Sequence, residues 1–149
     1  MPTDKINEKH TYLTRKIEET FEAGEISRSE CIARLNDLTR ISIFTPSIFR
    51  PVKSRIVYAQ GIAAFPFSKR IEILGKVCSY DCFGQYDPEP FGEDDVPDSD
   101  RDFGDFIIEG ELISWKIGYY DLSEKKGSED PANNSETVRV LRIRLMSEW

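Results

Sequence analysis

The sequence predicts an α+β fold: an antiparallel sheet of about four strands with helices on one face, preceded by an N-terminal helical hairpin. Three observations lead there. Apolar residues recur at helical spacing in the first forty positions and again near residue 70. The second half alternates at the two-residue period of strands. The order helix, helix, strand, helix and then three strands suits a sheet with helices over one face. With 149 residues, 39% of them apolar, the chain can build one real core but not two comfortable domains.

The elements follow in order. Ile6, His10, Leu13, Ile17 and Phe21 step by three and four along one helix face. Gly24 offers a left-handed cap, and Ser27 with Glu30 makes a capping box for a second helix whose Cys31, Leu35 and Leu38 share a face. Residues 1–43 therefore read as a helical hairpin packed on the body, and 44–149 as the α+β domain. The segment 44–52, with Pro46 and Pro51 among apolar residues, is expected to lie on that body as a connector. Residues 55–59 read as a strand that ends before Gly61. Residues 67–80 read as a helix with Ile71, Leu74, Val77 and Cys78 along one face.

Two strands, 103–108 and 112–120, flank the tight-turn string Glu109-Gly110-Glu111. On the second, Ile113, Trp115, Ile117 and Tyr119 point one way and Ser114, Lys116, Gly118 and Tyr120 the other. Residues 122–136 form a loop rich in Ser, Asn and Gly. A last strand, 138–146, turns Leu141, Ile143 and Leu145 to the core and Arg142 and Arg144 away from it.

The net charge of −7 is concentrated. Residues 87–105 hold nine acids against the single base Arg101, a balance of −8, so the remaining residues sum to about +1. The same segment contains Pro88, Pro90, Gly92 and Pro97, which exclude a helix or central strand over most of it. It reads either as a solvated acidic loop at 86–102 or as a surface built to meet a basic partner through Glu89, Glu93, Asp94, Asp95, Asp98 and Asp100. A second candidate surface is the sheet face bearing Lys116, Tyr120, Asp121, Arg142 and Arg144. There the cations are expected to be balanced by Asp121 and nearby acids.

Catalytic and metal patterns are weak. The only histidine, His10, sits on the apolar face of the first helix and reads as a packing residue. Cys31, Cys78 and Cys82 lack Cys-x-x-Cys spacing, and their odd number fits a reducing cytoplasm. Phosphate-cradling glycine loops are missing from the sequence, and no cofactor is expected. Asp98, Asp100 and Asp102, with Glu109 at the twelfth position, imitate a calcium loop, but Phe103 stands where that loop needs glycine. The apolar runs are too short for a membrane span, and no apolar leader opens the chain. The overall acidity argues against direct contact with nucleic acid.

Four strings carry a family resemblance: Asp102-Phe103-Gly104, Trp115-Lys116-Ile117-Gly118-Tyr119-Tyr120-Asp121, Gly127-Ser128-Glu129-Asp130-Pro131 and Thr137-Val138-Arg139-Val140-Leu141. In this order they resemble a bacterial family known as domain of unknown function 3768, over roughly residues 35–149. Two positions depart from its pattern: Arg101 stands where the family tends to have His, and Gly118 where it tends to have Asp. The acidic stretch between Asp87-Pro88 and Asp102 is an insertion relative to that pattern. The resemblance implies a small α+β domain, no defined activity, and an accessory gene of plasmids or phages.

Resemblance and charge together lead to the expectation of an acidic protein–protein interaction factor, not an enzyme. It would be a counter-defence inhibitor of the anti-CRISPR kind, meeting a basic protein such as a nucleic-acid-binding effector. The alternatives are an enzyme with a polar site at the strand ends, or a divalent-cation protein using Asp98, Asp100, Asp102 and Glu109.

Overall fold

The computed structural model describes residues 2–83 and 100–149, with side chains from Tyr12 onward. The α+β architecture is as the sequence implies. Helices α1 (Pro2–Glu22) and α2 (Arg28–Ile41) form the hairpin. Strand β1 (Ser54–Tyr58) follows, then a one-turn helix α3 (Gln60–Ala63) and helix α4 (Phe67–Cys78). Strands β2 (Phe103–Ile108), β3 (Glu111–Tyr120) and β4 (Val138–Leu145) complete the sheet.

The strand order is β1-β4-β3-β2. β2, β3 and β4 form an antiparallel meander, but β1 pairs with β4 in parallel, so the sheet is mixed where an antiparallel one was expected. The reason is directional. β1 and β2 run the same way at opposite edges, and the chain between them includes α4, which packs across one face. At the β2–β3 turn Glu109 and Gly110 both have positive φ, 51° and 81°, which is what a two-residue hairpin turn with the twist of its strands requires.

The covered face holds the core. Ile113, Trp115 and Ile117 of β3 and Leu141 and Ile143 of β4 are fully buried beneath Ile73, Leu74 and Val77 of α4. The expected stripe of α4 is rotated: Ile71 is exposed and Ile73 takes the buried place. The string Ile71-Glu72-Ile73-Leu74 supports two overlapping stripes, and the sheet selects the one that meets Trp115. The connector is also only partly laid down, with Val52 buried but Phe44 and Ile48 exposed.

A second cluster joins the hairpin to the body. Cys31, Ile32, Leu35 and Leu38 of α2 pack with Val52 and Ala132, and Leu13, Ile17 and Phe21 of α1 lie against them. Ser27 caps α2 by accepting from the Glu30 N–H at 3.0 Å. The Glu30 carboxylate itself reaches Arg34 and Arg101.

Candidate functional site

Two polar constellations are built on this scaffold, one on each side of the sheet. The first lies under α2. Asn36 falls in that helix's buried stripe and donates to the Tyr119 hydroxyl at 2.8 Å and to the Asp100 carbonyl at 2.9 Å. Tyr119 donates on to Asp102 at 3.1 Å. Arg139, wholly buried, donates from Nε to the Asn36 side-chain oxygen at 2.8 Å and from Nη2 to the Pro131 carbonyl at 2.6 Å. Its Nη1 is buried without a hydrogen-bond partner among the described residues. Burial pulls the Arg139 guanidinium down to about 10, and burial raises both the Tyr119 hydroxyl and the Asp102 carboxyl. This arrangement tethers α2 to the sheet and leaves the Arg139 Nη1 unspent.

The second constellation is the open face of the sheet. Register places Lys116 opposite Arg142, Ser114 opposite Arg144 and Phe103 opposite Lys116, all on the face away from the helices. The Arg142 Nη1 donates to the Tyr120 hydroxyl at 2.6 Å, and the Arg144 guanidinium lies 4.3 Å over the Trp149 ring. Tyr120 covers Gly118: a Cβ there would meet its ring at 2.9 Å, so the absence of a side chain is what lets the tyrosine lie flat beside Arg142. Lys116, Gly118, Tyr120, Arg142, Arg144 and Trp149 together line an open cradle of about 270 Å³.

None of Lys116, Arg142 and Arg144 makes an ion pair among the described residues. Asp121, expected to balance them, accepts instead from the Ser123 hydroxyl and the Lys125 N–H. The first of these holds its carboxyl below the usual range. Glu148 spends its oxygens on the Gly61 and Leu145 N–H groups. Beside the cations, Phe103 and Ile107 of β2 are 59% and 67% exposed, so the face is half basic and half apolar.

A second recess, about 660 Å³ along the β1 edge, is lined by Arg50, Lys53, Arg55, Tyr58 and Glu124 among others. Its arginines are committed. Arg55 pairs with Glu124 at 2.9 Å, and Arg50 donates to the Thr45 and Ser54 carbonyls.

The acidic candidates divide. Glu89, Glu93, Asp94, Asp95 and Asp98 lie outside the described residues, as does the side chain of His10. Asp100 accepts from the Ser29 hydroxyl, and Arg101 binds Asp37 at 2.8 Å and Glu30 at 3.2 Å, so the end of the acidic stretch is tied to α2. Of the calcium-loop candidates, Asp98 lies outside the described residues. Asp102 and Glu109 stand at opposite ends of strand β2, about 20 Å apart at the rise of an extended chain, and Glu109 pairs with Lys69. No cluster of three metal-ligating side chains occurs among the described residues.

Sequence reasoning passed over Asn36, Tyr119, Arg139 and Trp149. Asn36 was visible as a polar residue at helical spacing between Ile32 and Thr39, a pattern that demands a buried partner. The two-residue period of the last strand places Arg139 on the face of Leu141 and Ile143, but nothing in the sequence supplies its partner or brings Trp149 back over Arg144.

The model of a family described as "Protein of unknown function (DUF3768)" matches residues 58–148, more than half of the chain. The match spans the open face except Trp149, and Tyr119, Asp102 and Arg139 of the buried layer, but not the helix that carries Asn36. No curated protein matches the chain, and no solved structure does.

Proposed function

The chain belongs to the DUF3768 family, and from that premise, which carries no activity with it, we propose that it is an interaction module binding an anionic partner through the open face of its sheet. The observation behind this reading is the set Lys116, Arg142 and Arg144: three cations on one rigid face, two of them held on aromatic rings, none spent on a carboxylate among the described residues. Paired surface charges mostly offset one another, whereas unpaired ones of one sign create a field for a complementary partner. Exposed Phe103 and Ile107 add the apolar area that isolated sheet faces seldom leave uncovered. Gly118 fits the same reading, because an aspartate there would set a carboxylate against Arg142 and displace Tyr120.

The test is retention on an immobilised polyanion. Despite its net charge of −7, the protein should bind heparin resin at low ionic strength and elute with salt. The triple variant Lys116→Ser, Arg142→Gln, Arg144→Gln and the single variant Gly118→Asp should both flow through. Flow-through of the parent protein would end the proposal.

A second reading rests on the position of the charge excess. Carboxylates between residues 87 and 100 would meet a basic protein surface, as expected for a counter-defence inhibitor. Asp100, the member of that set among the described residues, accepts from the Ser29 hydroxyl through one of its oxygens. A pull-down from bacterial lysate at low and high salt tests it. A stoichiometric, salt-sensitive basic partner supports the reading, and its absence removes it.

A further inference from the structure

We infer that the anionic partner of the open face is a single-stranded nucleic acid, its bases on aromatic rings and its phosphates on Lys116, Arg142 and Arg144. This rests on the reading just given for that face and names the ligand class.

The first argument is the interleaving of rings and cations. Phe103, Lys116 and Arg142 stand in one row across β2, β3 and β4, spanning about 10 Å at the usual strand separation. Tyr120 flanks this row along β3, and Trp149 flanks Arg144. An acidic peptide needs only the cations. Rings set among cations on a rigid sheet are what a single strand uses, because every base has a π-face to stack and every phosphate a charge to neutralise. A duplex hides its bases in its own stack and has no use for exposed rings.

The second argument is size. At about 270 Å³ the cradle lies at the lower edge of the roughly 300–1,000 Å³ of pockets that enclose free small molecules. It suits one unit of a longer chain whose neighbours lie along the face toward Phe103.

The third concerns charge. The acidity that argues against nucleic acid is a property of residues 87–105, which carry −8, and the other residues sum to about +1. On the face itself Lys116, Arg142 and Arg144 stand with Asp105, and the Arg55–Glu124 pair is neutral. Glu148 acts on Arg144, and Asp102 on Lys116, only at longer range than an ion pair. Arg142 and Arg144 are already held by Tyr120 and Trp149, so little side-chain ordering is lost on binding.

The experiment is a titration of the full chain with fluorescently labelled oligothymidylate of about ten nucleotides, followed by anisotropy. The same oligonucleotide as a duplex, and poly-glutamate and heparin, serve as competitors. Trp149 gives a second readout: of the two tryptophans Trp115 is fully buried, so quenching by ligand reports Trp149.

Saturable binding to the single strand is expected, weakening about 20-fold between about 50 and about 200 mM salt as three phosphates are neutralised. Phe103→Ala, at an exposed position, should weaken oligonucleotide binding by about fivefold or more and weaken heparin binding less, since heparin has no bases to stack. Equal affinity for duplex or poly-glutamate, or indifference to Phe103→Ala, overturns the nucleic-acid assignment and leaves the anion-binding face intact. Failure of heparin and oligonucleotide alike overturns both.

Discussion

Arg139 donates from Nε to the side-chain oxygen of Asn36 at 2.8 Å, which joins the last strand to the second helix through a wholly buried guanidinium. No carboxylate pairs with it among the described residues. Burial lowers its proton affinity to about 10, so it remains charged near neutrality. Its charge is met by the Asn36 and Pro131 oxygens and by the Tyr119 ring at 5.3 Å. A buried charge held only by dipoles is sensitive to the loss of any one of them.

Asn36→Ala is therefore expected to destabilise by about 3 kcal/mol, because it strips an acceptor from Arg139 and a donor from Tyr119 together. Urea denaturation measures it. A loss below about 1 kcal/mol would mean that the apolar cluster alone holds α2 to the sheet.

Trp115 is fully buried between β3 and α4, with Tyr80 and Phe83 edge-on against it at 5.4 and 6.0 Å. Trp115→Ala should cost about 3–5 kcal/mol, the range of large aromatic truncations in cores. Thermal unfolding close to that of the parent would contradict the register that puts this ring in the core.

Asp102 gives a pH prediction. Burial raises its carboxyl above the ordinary 3.8, against the opposing pull of the Tyr119 hydroxyl. A carboxyl whose folded value is raised contributes stability while protonated, and that contribution is lost as pH rises from the unfolded value through the folded one. Asp102→Asn keeps an oxygen for Tyr119 and removes the charge. It should raise the unfolding temperature by about 2 °C near neutral pH, with the gain shrinking as pH falls toward about 3. A variant less stable than the parent near neutrality would show that the charge is favourable where it stands.

The acids of the insertion should behave unequally. Replacing Glu93, Asp94, Asp95 and Asp98 with Gln or Asn is expected to shift the unfolding temperature little. Asp100→Ala should lower stability by about 1 kcal/mol, since it removes the acceptor of the Ser29 hydroxyl. Equal effects from both changes would contradict the tie between Asp100 and α2.

Strand alternation was legible on β3, where Ile113, Trp115 and Ile117 are buried and Lys116 is exposed as the two-residue period places them; on β4 it is less clean, since Val140 is buried on the face of Arg142. Lys116, Tyr120, Arg142 and Arg144 could be assigned to one face for the same reason. The parallel pairing of β1 was not legible, because strand direction depends on the path of the chain between edges and not on any residue of β1. The α4 stripe was ambiguous because Ile71 and Ile73 both fit a helical period. The alternation puts Arg139 on the core face, where a cation is unexpected until Asn36, far away in sequence, supplies its acceptor. Asp121 was expected to neutralise the cations, yet its own turn, through Ser123 and Lys125, takes up its Oδ1.

The most direct measurement of the central claim is a map of backbone amide and indole NMR shifts as a short heparin oligosaccharide is added to the full chain. The account predicts that Lys116, Gly118, Tyr120, Arg142, Arg144 and the Trp149 indole move together, while Asn36, Tyr119 and Arg139 on the covered face stay still. Shifts confined to the recess of Arg50, Lys53 and Arg55, or no shifts at all, would contradict it.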